Sequence, residues 1–313
     1  MIPPATRSAP IQAFFYYALG VLGFSVVDAA TRLLRVDYDL GTWQITFLTR
    51  IPPLLVALAV TAQATGSPFR VQTKFFRIHM VRGVLVLITT TTFFAALKYL
   101  PLADCIVIAF AAPIFVTALS GPMLKEQVGW RRWCAVIVGF AGVVVAVFDP
   151  TGTWEEDTAL GTGLVLVSAL CYALILLTLR GLSGKEHTHN LMFYSTAVTI
   201  VVAAIPGILE WQPISWQAAG VMLVQGVASA AGQLAMIRAF RYGEASMLAP
   251  IEYTGLIWAT AFGFIFWRDL PTVAVLLGAA LIIGASFYIA RREAQLADRR
   301  RFPPIPEHAS LPE

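Results

Sequence analysis

Five ionisable side chains, Asp28, Arg50, His79, Arg82 and Glu252, fall inside long apolar stretches of this sequence. A charge at the centre of a membrane-spanning helix costs about 2.5–3.5 kcal/mol on insertion scales, so each needs a partner or a wet cavity. Arg50 stands about nine residues into its stretch, near mid-bilayer at ~1.5 Å per residue. It is too deep to snorkel easily to either surface. A guanidinium there can clamp an anionic group of a ligand, or form a permanent ion pair with Asp28 or Glu252. Asp28 precedes Arg32 by four residues, so an i,i+4 pair near the interface competes with a site role. Glu252 is flanked by Pro250 and Tyr253. Proline removes a backbone donor and displaces the carbonyl four residues earlier, leaving polar backbone beside a carboxylate that can bind a cation or exchange a proton. His79 and Arg82, one turn apart near a helix end, can gate, couple to protons, or contact lipid headgroups.

Uncharged polar groups add candidates of a second kind. Gln225, Gln233 and the run Thr89 to Thr92 can bond a ligand, although helix–helix glue is their commoner use. Tyr99, Tyr172, Tyr253 and Trp258 can stack on a planar solute. The expected binding set is therefore Arg50, Glu252, Tyr253, Tyr99, Trp258 and Gln225, with Asp28, Glu252, His79 and Arg82 for proton coupling or gating. No catalytic constellation accompanies them: the sequence holds no HExxH helix, no Gly-x-Ser-x-Gly elbow, no paired aspartates for magnesium and no phosphate-binding glycine loop. Four scattered histidines and three cysteines in apolar segments give no metal spacing. Neither a catalytic residue, a metal nor a cofactor is expected, and the cysteines read as small packing residues.

The elements that must position these groups are plain. Ten apolar stretches, about as long as a bilayer is thick, cover 11–32, 42–63, 78–98, 102–124, 131–148, 160–180, 190–209, 214–237, 245–267 and 272–290. A spanning helix needs about 20 such residues, and hydrocarbon offers no partner to an open backbone amide, so the stretches are helices. The chain is 58% hydrophobic and 13% charged, with mean hydropathy +0.73, against about 25% charged in soluble domains. An all-α integral membrane protein is expected, with no room for a soluble domain. Trp43, Trp154, Trp211 and Trp216 lie at stretch ends, where indoles anchor at the interface.

Lysine and arginine mark the orientation. If the N-terminus is cytoplasmic, 16 of them fall in inside segments, from Arg7 to Arg301, against four outside: Arg32, Arg35, Lys98 and Arg268. Both termini are expected in the cytoplasm of a cell whose inner membrane holds the chain. The net charge of +4 belongs to these loops and is not read as nucleic-acid affinity.

The chain also repeats itself. Sliding it by 143 positions lays Lys98 on Arg241, Tyr99 on Tyr242, Lys125 on Arg268 and Glu126 on Asp269; a slide of 148 lays Arg32 on Arg180. Two halves of five spans insert with opposite orientations, because five is odd. The expected organisation is a first repeat over 1–148, a periplasmic linker at 149–159, a second repeat over 160–290 and a disordered cytoplasmic tail at 291–313. Inverted repeats of this kind are a common build of secondary transporters, with the site at midplane between the halves.

The run from Arg82 to Val147, with ALKY, small residues, Pro113 within a helix and a Lys125–Glu126 turn before a glycine-containing helix, resembles the repeat unit of the EamA family of the drug/metabolite transporter superfamily. The segment LAPIEYTGLIWATAFGFIFWRDLP of the second half resembles the other copy. The second copy departs from the first: Pro250 falls near the start of its helix, and Glu252–Tyr253 replaces Ala109–Phe110. The resemblance implies a permease for a small metabolite (riboflavin, S-adenosylmethionine, an amino acid or a related planar solute) that works by alternating access as a monomer or homodimer among membrane lipids. A lipid flippase of the same superfamily is the alternative.

Overall fold

The computed structural model describes residues 9–124, 129–147, 156–182, 186–242, 248 and 251–301. Among these the chain is helical and connecting, with no strand: α1 (Ala9–Val36), α2 (Thr42–Thr49), α3 (Ile51–Thr65), α4 (Phe76–Ala96), α5 (Leu102–Ala109), α6 (Ala112–Leu124), α7 (Trp130–Val147), α8 (Glu156–Leu182), α9 (Thr188–Leu209), α10 (Trp216–Tyr242), α11 (Thr254–Trp267) and α12 (Val273–Arg301). Seven runs among the described residues are long and apolar enough to cross a membrane, counting α2 with α3 and α5 with α6 as one run each. Three shorter apolar helices, Trp133–Val147, Thr254–Trp267 and Val273–Ile289, occupy the remaining stretches read from the sequence. The protein is a multi-pass membrane protein.

Two of the expected helices are broken, and proline explains both. The stretch 42–63 divides at Arg50 (φ −87°, ψ −9°), between α2 and α3, because Pro52 and Pro53 cannot bond to the carbonyls of Leu48 and Thr49. The stretch 102–124 divides at Phe110 and Ala111, where Pro113 cannot bond to Ala109; the Ala111 amide donates instead to Ile108 O at 3.0 Å, a tightened last turn. A third interruption is the turn at Tyr253 that precedes α11. Pro250 lies outside the described residues, as do the Lys125–Glu126 turn and most of the expected linker. At the other end, α12 runs to Arg301, so the first part of the expected disordered tail is helix.

The helices pack in pairs. α1 lies along α10, α4 along α8, α2 and α3 along α9, α5 against α11, and α7 along α12. Small residues set the tightest of these contacts. A Cβ on Gly278 would stand 2.5 Å from the carbonyl oxygen of Gly142 and 2.5 Å from the Ala146 side chain, so α12 and α7 touch backbone to backbone there. Gly284, four residues after Ala280 at a spacing that suits close helix contact, faces open space instead.

Overpacking a contact of this kind costs about 1–3 kcal/mol. Gly278→Val should therefore lower the unfolding temperature of the detergent-purified protein, whereas Gly284→Ala should leave it unchanged or higher. Thermal unfolding followed by size-exclusion chromatography measures both. Equal stability of Gly278→Val and the parent chain would disprove the contact.

Candidate functional site

The three breaks surround one cavity of about 530 Å³, walled by α1, the Arg50 break, α4, α5, α8, α10 and the residues ahead of α11. Its polar lining includes Asp28, Thr49, Arg50, Thr90, Ser168 and Glu252; its apolar lining is rich in rings, with Tyr17, Phe24, Phe93, Phe110 and Tyr172. Of the residues singled out from sequence, Asp28, Arg50, Thr89, Thr90, Tyr172 and Glu252 meet here.

Arg50 reaches the cavity because its helix stops there. Its guanidinium donates to the Thr90 hydroxyl on α4, and its Nε has no partner among the described atoms. The ion pair with Asp28 or Glu252 held open by the sequence is not formed: among the described residues neither carboxylate is ion-paired. Asp28 is also not the i,i+4 partner of Arg32. Arg32 pairs with Asp269 at 2.7 Å and its guanidinium lies 4.2 Å from the Trp267 ring centroid, which ties α1 to the end of α11 and frees Asp28 for the cavity. Around that latch, Trp267 Nε1 donates to Asp37 at 3.1 Å and Lys98 pairs with Asp39 at 3.1 Å.

The other expected residues lie elsewhere. Gln225 is fully buried and its Nε2 donates to Thr31 Oγ1 at 2.7 Å, bonding α10 to α1. Tyr99 packs against Gly161 at the start of α8. Trp258 belongs to a cluster with Ala13, Val21 and Leu248, and stacks on Phe262. Tyr253 stands behind the wall, edge-on to the cavity-lining Phe110, with ring centroids 5.1 Å apart. His79 and Arg82 do not face headgroups. Arg82 donates to Ile175 O and Thr178 Oγ1, both at 3.2 Å, pinning α4 to α8. His79 is wholly buried, stacked on Tyr194, with Nε2 3.1 Å from Glu186 Oε2. Burial would raise the Glu186 carboxyl, but hydrogen bonds from Thr73, the Asn190 amide, the His187 N–H and His79 prevail and hold it down at about 2.

Several lining residues went unread in the sequence. Tyr17, Val21, Phe24, Ser25 and Asp28 fall at helical spacing on one face of α1. That stripe, anchored on an aspartate, was the signal for Tyr17 and Phe24. Thr49 and the exposure of Arg50 were signalled by Pro52–Pro53.

The sequence pattern described as the EamA-like transporter family matches residues 12–148 and again 159–291. Among named relatives, the pseudopaline exporter CntI of Pseudomonas aeruginosa is 29% identical over 217 residues, 68% of this chain and 74% of that protein. The riboflavin transporter of Vibrio cholerae is 24% identical over 93% of this chain and 97% of its own length. The S-adenosylmethionine uptake transporter of Rickettsia prowazekii is 26% identical over 90% and 94%. A solved crystal structure at 19% identity matches 88% of this chain and 98% of its own with a TM-score of 0.57, a likeness of fold alone.

The Glu186 network gives a pH prediction. A carboxyl held below its ordinary 4.5 stabilises the fold fully above that pH, and the contribution is lost as pH falls towards about 2. Glu186→Gln should lower the unfolding temperature by a constant amount between neutral pH and about pH 5, and the gap to the parent should narrow under more acid conditions. A gap that stays constant into that acid range would contradict it.

Proposed function

This chain belongs to the EamA-like transporter family, and we propose that it is a secondary carrier of a small organic metabolite, with the Asp28–Arg50–Glu252 cavity as its solute site. The observation that carries the reading is the state of those charges. Two carboxylates and a guanidinium face one enclosed space without pairing with one another, at a depth where an unpaired charge is costly. Water fills that need between turnovers and a solute fills it during them. Charges of both signs beside aromatic walls fit a solute that carries an anionic and a cationic group on a planar or apolar body. The names of the relatives, which cover pseudopaline, riboflavin and S-adenosylmethionine, support an organic metabolite of this size.

The mechanism is alternating access between two inverted five-helix halves. Exchanging the first span with the sixth, the third with the eighth, and so on, turns the α1–α10 packing into α8–α4 and returns the other three pairings to themselves. Phe110 and Tyr253, which touch, are 143 positions apart, the slide that relates the halves. Residues equivalent by a twofold meet where its axis passes, here at the cavity wall between the two helix breaks. The breaks supply the bending points. The Arg32–Asp269 latch closes one end of the bundle, and must part for the cavity to open there. By the lysine and arginine count that end faces away from the cytoplasm, with both termini inside. A flippase draws no support: His79 and Arg82, the headgroup candidates read from the sequence, are occupied within the protein.

Solute counterflow in proteoliposomes, with labelled riboflavin, S-adenosylmethionine, nucleosides and amino acids, tests this reading. One panel member should accumulate, and Arg50→Ala should cut that accumulation at least about tenfold, as loss of a buried charged contact does. Membrane insertion should be unaffected. Undiminished counterflow in Arg50→Ala would remove Arg50 from the site.

A further inference from the structure

Away from the cavity, α7 and α12 touch at Gly142 and Gly278, and a wedge of about 360 Å³ lies beside residues 130–138 of α7 and 284–288 of α12. Its floor is Ala135, Val138 and Gly284, and no atom lies within 4 Å of a Cβ built on Gly284. Its mouth holds Trp130, 71% exposed, and Arg131, whose guanidinium lies 5.4 Å from the Trp130 ring centroid. Tyr288 closes the α12 side. The wedge is thus apolar inside, with the cation of Arg131 at its mouth and no acidic residue in its lining.

We propose that this wedge binds an anionic phospholipid, with an acyl chain along Ala135, Val138 and Gly284, the phosphate on Arg131 and the headgroup edge on Trp130. The inference is independent of the solute site; it needs only that the chain spans a membrane. An apolar recess facing the bilayer takes an acyl tail. Basic side chains at the membrane surface select anionic lipid over zwitterionic lipid, and indole is at home at headgroup depth.

Bromine on an acyl chain quenches tryptophan on contact, so the full-length protein is reconstituted with chain-brominated phosphatidylglycerol or, at the same mole fraction, chain-brominated phosphatidylcholine. The Trp130 share of the quenching is the difference between the parent and Trp130→Phe. Phosphatidylglycerol should quench that share about fivefold more effectively, the ratio expected for one arginine at an anionic surface. Arg131→Gln should abolish the preference, and Gly284→Leu, which has room to fill the wedge, should reduce quenching by both lipids. Equal quenching by the two lipids in the parent, or a preference that survives Arg131→Gln, would overturn the proposal. So would rapid oxidative dimerisation through Cys134, the exposed cysteine of the wedge, which would place a second copy there.

Discussion

Hydrocarbon gives a peptide group nothing to bond to, and the organisation of this protein follows from how it meets that constraint. Most of the chain complies by staying helical across the bilayer. At Arg50, at Phe110–Ala111 and at Tyr253 it does not, and all three interruptions gather at one cavity, where polar backbone need not face lipid. The first two follow from prolines a few residues downstream. Breaking α2 from α3 turns a guanidinium that would otherwise lie along a helix flank into one aimed at the cavity. The site is therefore a by-product of broken secondary structure as much as of side-chain chemistry.

The buried charges then separate into two groups. Arg32 with Asp269, His79 with Glu186, and Arg82 with a carbonyl and a hydroxyl on α8 have partners within the protein and hold helices or loops together. Removing one partner of such a pair leaves the other stranded, which is why these positions bear on stability. Among the described residues, Asp28 and Glu252 have no ion pair and the Arg50 guanidinium bonds to a threonine hydroxyl alone. On the proposed function, a fold that could have paired Arg50 with a carboxylate and does not keeps those charges for a transient solute.

Much of this was legible in the residues. Apolar length marks the spans, and the cost of charge in lipid singles out Asp28, Arg50 and Glu252 together with His79 and Arg82, which lie away from the cavity. Illegible were the contacts that depend on distant chain. Asp28 has Arg32 one turn away, and only the fold shows that Asp269 takes Arg32 instead. His79 looks like a headgroup ligand until Glu186 arrives from the α8–α9 loop. Gln225, Tyr99 and Trp258 could not be sorted from true lining residues, because in a membrane the inward and lipid-facing sides of a helix are equally apolar and the usual amphipathic signal fades. The Arg50 break was readable from Pro52–Pro53 and hidden only by the apolar run around it.

The central claim is that the cavity of Asp28, Arg50 and Glu252 is a water-filled solute site. The direct measurement is thiol accessibility at Ala109→Cys, on the cavity wall where α5 ends, in a Cys134→Ala background whose remaining cysteines, Cys105 and Cys171, are buried. A membrane-impermeant thiol reagent should label Cys-substituted position 109 from water, and the transported solute should slow that labelling at concentrations that saturate counterflow. A position that never labels, or labels at the same rate with the solute present, would contradict the account.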